Sequence, residues 1–255
     1  MKKLLGFALV FLLLIAIGLY LTMQYFLGSI VKTGVNKFGP QITQTKVELQ
    51  GANVSPLSGE GSLHGLSVGN PAGWSAADAF RLGKVHISME PFSVFKDHIV
   101  INELVIEQPE FLYETKLVAS NIGDLLKNIE QTLGKKDAEP KTKEGKPIKM
   151  EIKKLVLKEG KVTVGIGTTA MALPMPQIDM ANIGTAEGGI TPPQVAVAIM
   201  RNVTTTVVNA AAGALAQGNV SGAATMEAAK QVGQAIKGIF GGAKKPAEPP
   251  PPEKK

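Results

Sequence analysis

Few side chains of this chain have the type and spacing that catalysis or metal binding requires. Its three histidines, His64, His86 and His98, do not recur at a metal-ligand spacing, and the alternation around them places them on outward-facing strand positions. The chain has no cysteine, and it contains no nucleophile elbow, phosphate-binding loop or dinucleotide fingerprint. Gly165 and Gly167 resemble the first two glycines of the dinucleotide fingerprint, but the third glycine is missing. We therefore predict a protein that is not an enzyme and that has no metal site and no cofactor.

The charged residues alternate in sign instead of gathering in a cluster. The formal net charge is +6. Most of it comes from the stretch Lys135–Lys161, where glutamates alternate with lysines, and from the tail Lys244–Lys255. This pattern is typical of a solvated face, and no aromatic residues stand among the lysines to stack on bases. Nucleic acid is therefore not an expected partner, and acidic lipid headgroups are the better alternative.

The amino-terminal segment has the length of a membrane span. An unbroken apolar run, Leu4–Leu21, follows Lys2 and Lys3, and the apolar bias continues to Leu27. A helix of about 24 residues is roughly 36 Å long, enough to cross a bilayer. Bulky residues follow the run, so we predict an uncleaved anchor at residues 1–28, with a removed signal sequence as the alternative. The lysines keep the amino end in the cytoplasm and send the rest of the chain across.

Beyond the anchor the apolar period changes from that of a helix to that of strands. Residues 29–40 extend the helix until Gly39-Pro40 ends it. Three later stretches alternate apolar and polar residues: 43–49, 84–90 and 161–167. Alternation predicts antiparallel strands with one wet face, and we assign residues 41–185 to one β domain with a mobile loop at 135–147.

A short repeat runs through this β domain. Its copies begin at Leu63, Ile101 and Ile152, with further apolar residues three and five positions later and a Pro or Gly at the end. A spacing of three moves a side chain to the other face of a flat strand. Each copy is therefore predicted to contain a bulge or sharp bend, and bends at one level would curve the sheet into a trough. Three unrelated strands with a chance similarity are the alternative.

Helical patterns interrupt and follow the strands. Asn121 is the predicted cap of the first helix, and its apolar face is Ile122, Leu125, Leu126, Ile129 and Leu133. Two further helices are predicted within residues 191–240. Thr191 and Gln194 form a capping box at the start of the first, and Ser221 caps the second. Residues 241–255, rich in proline and lysine, are predicted to be disordered.

The first of these carboxyl-terminal helices is long and apolar enough to raise the alternative of a second membrane span, Val195–Leu215. Arg201, Asn202 and several threonines make that span costly. Its small residues instead suit a helix that lies close to another backbone, with an inward stripe of Val195, Ile199, Val203 and Val207.

The most distinctive loop, Asn70–Trp74, presents the one tryptophan of the chain. We expect Trp74 to contact the membrane surface or to close the end of the trough. A tryptophan that closes an ordinary core edge is the alternative.

Three segments, Gly61–Trp74, Phe80–Phe95 and Ile99–Pro109, follow the lysine-led anchor in an order that resembles the amino-terminal part of AsmA-family proteins. That family is similar to TamB and to the chorein-type bridge lipid carriers, and the resemblance covers about residues 1–185. It implies a single-pass protein of the inner membrane of a two-membrane bacterium, with an apolar-lined β-taco groove in the periplasm that holds acyl chains. The family has no catalytic residues to transfer. This chain departs from it by being several times shorter than the members that bridge the envelope.

The expected fold is therefore mainly β with α: a transmembrane helix, a curved antiparallel β-taco-like groove and carboxyl-terminal helices. The residues expected to line the groove are Val85, Ile87, Ile101, Leu104, Phe111 and Leu155. One expected function is phospholipid binding for lipid transport or outer-membrane biogenesis, with other envelope proteins as further partners. The alternative function is a membrane-tethered scaffold or assembly factor whose groove is filled by its own residues 192–240.

Overall fold

A computed structural model describes residues 2–55, 57–116, 119–133, 140–142, 144–166 and 169–216. This part of the chain forms three α-helices, eleven strands and a single 3-10 turn, Ser93–Phe95. Their bounds are α1 Lys2–Thr43, β1 Val47–Val54, β2 Glu60–Gly69, β3 Asp78–Leu82, β4 Lys84–Met89, β5 His98–Glu107, β6 Glu110–Lys116, β7 Ala119–Ser120, α2 Asn121–Glu130, β8 Lys149–Lys158, β9 Lys161–Ile166, β10 Thr169–Pro174, β11 Ile178–Ile183 and α3 Pro192–Ala216. The predicted last helix and the predicted disordered tail lie outside the described residues.

Helix α1 is continuous through both the predicted anchor and its predicted extension. It also passes Pro40 and ends three residues after it, at Thr43, so the expected stop at Gly39-Pro40 is wrong. The helix ends where Gln44 takes a left-handed φ of 55°. The Gln44 amide donates to the Pro40 carbonyl at 2.9 Å, a common carboxyl-terminal cap. The Thr43 hydroxyl also donates to the Gly39 carbonyl, at 2.9 Å, and so covers another terminal carbonyl.

The strands form a mixed sheet in the order β10-β9-β6-β3-β2-β4-β5-β8-β11. Outside this order, β1 pairs with β2 and β7 pairs with β6. Strand β2 pairs along its length with β1, and its other edge pairs with β4 up to Leu63 and with β3 from Leu66. The sheet thus contains four long strands that lie side by side, each formed by two consecutive parts of the chain. These parts are β3 and β4, β5 and β6, β8 and β9, and β10 and β11.

The expectation of a purely antiparallel sheet is wrong at one interface. Strand β5 pairs with β8 in parallel, as does β6 with β9. Parallel neighbours require a long crossover. Here the chain between β6 and β8 supplies it and carries α2. The mixture of pairings therefore follows from the helix inserted in the middle of the β domain.

One line of interruption crosses the sheet. It runs through Gly65, which is unpaired within β2, and through Gly83, Gln108 and Glu159, which lie between β3 and β4, β5 and β6, and β8 and β9. Gly65, Gln108 and Glu159 have φ values of 65°, 54° and 56°. A side chain at Gly83 would collide with the carbonyl oxygens of β5's end, so glycine is required for that close approach. These left-handed and unpaired residues interrupt the regular ladder of the sheet along this line.

The repeat is confirmed for two of its copies. Ile101 pairs with Ile152, and the same register joins Leu104 to Leu155. In β8 the two residues between Ile152 and Leu155 are both exposed, which is the local change of face that the spacing of three predicts. The first copy is not equivalent, because Leu63 lies level with the end of the second copy, and Gly65 interrupts it.

The helix caps follow the sequence closely but not completely. The capping box at α3 is confirmed: Gln194 Oε1 accepts from the Thr191 amide at 2.8 Å. At α2 the cap is Ser120, whose hydroxyl accepts from the Gly123 amide at 3.1 Å, and Asn121 is instead the first helical residue. The predicted inward face of α2 is buried except for Leu133, which follows the end of the helix and is exposed.

Part of the predicted mobile loop, residues 135–139 and 143, lies outside the described residues. Its described part forms a tight turn in which the Thr142 amide donates to the Lys146 carbonyl at 2.8 Å. Lys141 also bridges to Pro147 across this turn.

Candidate functional site

The predicted groove residues lie on the inner, apolar face of the sheet. Ile87, Leu104 and Leu155 are neighbours in one row across β4, β5 and β8. Val85 and Ile101 occupy the rows on either side of it. Leu104 is half-buried, and the other four are less than 9% exposed.

Phe111 belongs to the half of the sheet beyond the interruption line. It pairs with Phe80 on β3 and with Val162 on β9, and the two phenylalanine rings are 5.5 Å apart. Val68 continues this row on β2. Phe111 is 3% exposed and belongs to the same apolar cluster as the residues of the other half. The two halves therefore share one core.

Helix α3 covers the part of this inner face that β6 and β8–β11 form. It contacts β6, β8, β9, β10 and β11 on one side and α2 on another. Its buried apolar side chains are Val195, Val197, Met200, Val203, Val207, Val208 and Ala211, and Thr204 is buried among them. Three members of the predicted stripe are buried, and Ile199 is half-buried. The additional buried positions arise because α3 lies between two neighbours, the sheet and α2. The sequence alone did not show which strands α3 covers.

Polar contacts hold α2 and α3 in place. Arg201 on α3 donates through Nε and Nη2 to Glu130 Oε1 on α2, at 3.0 and 2.8 Å. Asn121 is fully buried, and its side chain accepts from the Glu114 amide at 2.9 Å and donates to Asn70 Oδ1 and to the Leu112 carbonyl. A fully buried amide with all three contacts made fixes the start of α2 against β6.

Helix α1 covers the free edge of β1. Asn36 Oδ1 accepts from the Leu49 amide at 2.7 Å, and its Nδ2 donates to the Leu49 carbonyl at 3.2 Å. Gly28 and Gly39 allow the helix to approach closely, because a side chain at either position would collide with β1. The helix and the strand run in opposite directions, since Tyr20 contacts Ser55 at 3.2 Å.

The outer face of the sheet is a ladder of exposed ion pairs. Lys154 and Lys158 on β8 lie 2.7 and 2.9 Å from Glu103 and Glu107 on the parallel strand β5. Hydrogen bonding to these carboxylates raises the pKa of both lysines, and the contact with Lys158 lowers the pKa of Glu107. Exposed pairs of this kind contribute little to stability. They agree with the interpretation of the lysine-rich stretch as a solvated face.

Trp74 lies at the end of the sheet that is remote from the apolar half of α1. It is half-buried, its Nε1 donates to Asp124 Oδ2 at 2.9 Å, and the Lys116 ammonium sits 4.6 Å from the ring centroid. Asp124 is on the first turn of α2. The indole therefore joins the β2–β3 loop to α2, and this placement does not support the expected membrane contact.

The histidines show no arrangement for chemistry in the described part of the chain. His64 and His86 are exposed, and His98 Nε2 lies 3.6 Å from Glu151 Oε2. Among the described residues, no three side chains of the metal-binding types gather at one place.

Within the described residues, two helices are long and apolar enough to cross a membrane by length and composition. The apolar part of α1 is unburied, whereas 44% of the α3 segment is buried inside the protein. This difference assigns α3 to the core of the β domain and leaves α1 as a membrane anchor or a signal sequence.

Comparison with known proteins adds no family to this description. No protein-family model, no curated protein and no solved structure matches the chain. The features of the described chain that bear on function are the apolar inner face, the helix α3 packed on it and the helix α1 that leads away from it.

Proposed function

We propose that this chain is a membrane-anchored scaffold domain, held by α1 at the periplasmic surface of an inner membrane, with α3 covering the apolar inner face of β6 and β8–β11. The observation that carries the proposal is the position of α3 across β6 and β8–β11. An inner face of this size would otherwise be an apolar patch larger than monomers tolerate. With α3 in place, the surfaces left for other envelope proteins are the charged outer face and the ends of the sheet.

The uncleaved anchor is part of this proposal. Cleavage near the end of the apolar run would have to cut a continuous helix that already contacts the β domain at Tyr20. The mass of the mature protein tests this point directly. A chain that starts after the apolar run, or that alkaline carbonate releases from membranes, would contradict the anchor. A periplasm-dependent reporter fused after Lys255 should be active, and activity of a cytoplasmic reporter there would contradict the topology.

Acyl-chain binding remains the second candidate function, and one feature of α3 favours it. The Thr204 hydroxyl is buried with no hydrogen-bond partner among the described residues. A buried unpaired hydroxyl costs about 1–3 kcal/mol, so α3 is not an optimal filler of the face that it covers. A lipid that displaced α3 would restore solvation to this hydroxyl and would take over the apolar contacts at roughly 25 cal/mol per Å².

Photocrosslinking in cells separates the two functions. A photoreactive amino acid at Leu104, which is half-buried and packs against the inner apolar cluster, should crosslink only to the protein's own core if the scaffold is correct. A phospholipid adduct at Leu104 would transfer the assignment to lipid binding. The same amino acid at Lys153, which is exposed on the outer face, is the control and should give neither product.

A further inference from the structure

The end of the β domain nearest the apolar segment of α1 carries an unusual set of side chains. Outside α1, the large apolar residues that the described chain exposes are Leu57, Phe92, Phe95 and Leu133. The first three lie together at this end, and their exposed fractions are 67%, 48% and 51%. We call these three residues the proximal rim.

Two neighbouring loops build the proximal rim. Leu57 is in the β1–β2 turn, two residues after Ser55, which Tyr20 of α1 contacts. Phe92 and Phe95 are in the β4–β5 loop, which is joined to that turn because the Met89 amide donates to the Gly59 carbonyl at 2.9 Å. Both loops therefore lie where α1 leaves the domain.

The local backbone presents these rings to the outside. Phe92 has a left-handed φ of 65°, a conformation that is uncommon for a bulky residue. Its ring stacks on that of Phe95, with centroids 6.4 Å apart, and neither ring is buried. The Ser93 side chain between them is instead the buried one. Strain that exposes an aromatic pair indicates a surface with a partner.

The length of the apolar segment identifies that partner. A bilayer core of about 30 Å requires about 20 helical residues, so a span that starts at Leu4 ends near Met23. The domain already contacts α1 at Tyr20, about three residues or 5 Å before that point. Because α1 is continuous, the domain cannot stand away from the membrane on a flexible linker. The proximal rim must then lie within the outer few ångströms of the same bilayer.

The charges that line the groove beside Phe95 are balanced. A surface groove of about 580 Å³ beside Phe95 is lined by Lys96 and Lys146 together with Asp97 and Glu144. Lys146 is 3.5 Å from Glu144. Paired charges of both signs suit zwitterionic headgroups and give no net attraction to anionic lipid.

We propose that the proximal rim is a bilayer-contact surface, in which Leu57, Phe92 and Phe95 enter the interface of the membrane that α1 crosses. The inference rests on the anchoring part of the proposed function. Contact is driven by apolar side chains in the interface and not by net charge.

The absence of cysteine from the chain makes a direct test possible. Full-length Leu57→Cys, Phe95→Cys and Leu133→Cys proteins are labelled with an environment-sensitive fluorophore and placed in phosphatidylcholine nanodiscs. Leu133 is the matched control, since it is an exposed leucine beyond α2, near the remote end. The probes at 57 and 95 should show blue-shifted emission, protection from iodide and quenching by spin-labelled lipid, whereas the probe at 133 should remain accessible to iodide.

The outcomes separate this inference from the anchor. Probes at 57 and 95 that are quenched by iodide as strongly as the probe at 133, in protein that carbonate does not release, would overturn the rim alone. Protein that carbonate releases would overturn the anchor. Addition of phosphatidylglycerol or salt should leave the three emission spectra unchanged, and a blue shift that requires phosphatidylglycerol would contradict an apolar contact.

Discussion

Substitution of Asn36 by alanine should release the edge strand β1 from helix α1. In an antiparallel pair, every second residue turns both backbone groups away from its partner strand. At Leu49, which is fully buried, the Asn36 side chain takes up both of them, at 2.7 and 3.2 Å. Each net hydrogen bond contributes about 0.5–1.5 kcal/mol, and unpaired buried groups cost more, so the expected loss is about 2–3 kcal/mol.

Hydrogen exchange measures this loss at the strand itself. A decrease of 2–3 kcal/mol in the opening free energy corresponds to exchange that is about 30- to 150-fold faster in a peptide covering β1. Asn202→Ala is the matched control, because the Asn202 amide is exposed and donates only within α3, to the Ala198 carbonyl. If the Leu49 amide kept its protection in Asn36→Ala, the helix would not be holding the edge through this side chain, and the reasoning would be refuted.

Leu155→Ala should destabilise the domain by about 2–5 kcal/mol in urea unfolding, since Leu155 is 0% exposed. Lys153→Ala should lower the free energy of unfolding by less than about 1 kcal/mol. Equal losses from the two variants would contradict the strand register. Tyr113→Phe should leave stability unchanged or raise it by up to about 1 kcal/mol, because the buried hydroxyl has no partner among the described residues. Burial also raises the pKa of Tyr113. The contribution of the neutral phenol to wild-type stability should therefore be fully present below the unfolded pKa of about 10 and be lost above it. Measured from about pH 8 to about pH 11, the free energy of unfolding should fall less in Tyr113→Phe than in the wild type. Gly28→Ala should weaken the contact of α1 with β1, because a side chain there would meet a carbonyl oxygen of β1. Gly34→Ala, where the structure leaves open space, should stabilise the helix by about 0.5–1 kcal/mol. Thermal melts in which both variants behave alike would contradict the contact between Gly28 and β1.

The patterns that depend on local periodicity predicted the structure well. The stripe of α2, the capping box of α3 and the buried positions of β4 follow from spacings of a few residues. Such spacings report which face of an element is apolar, and burial enforces that choice. The paired repeats in β5 and β8 were found for the same reason.

Features that depend on which elements meet were not predictable in this way. The parallel pairing of β5 with β8 depends on the path of the crossover, and nothing in either strand's own pattern distinguishes it from antiparallel pairing. The cap of α2 was misplaced by one residue because Ser120 and Asn121 are both good caps, and only the contacts of Asn121 with β6 decide between them. The proximal rim gave a weak signal, three apolar residues within turns, that becomes meaningful only beside the end of the apolar segment.

The position of α3 late in the chain has a consequence for the order of folding. Val203 follows Phe111 by 92 residues, so the first half of the inner face exists before the helix that covers it has been synthesised. At about 5–20 residues per second, the delay is about 5–20 s, far longer than a hairpin needs to form. Strands β1–β6 must therefore pass through a stage with an uncovered apolar surface and, until β8 arrives, an unpaired edge at β5. Truncation before Thr191 should trap this stage as an aggregating or chaperone-bound species.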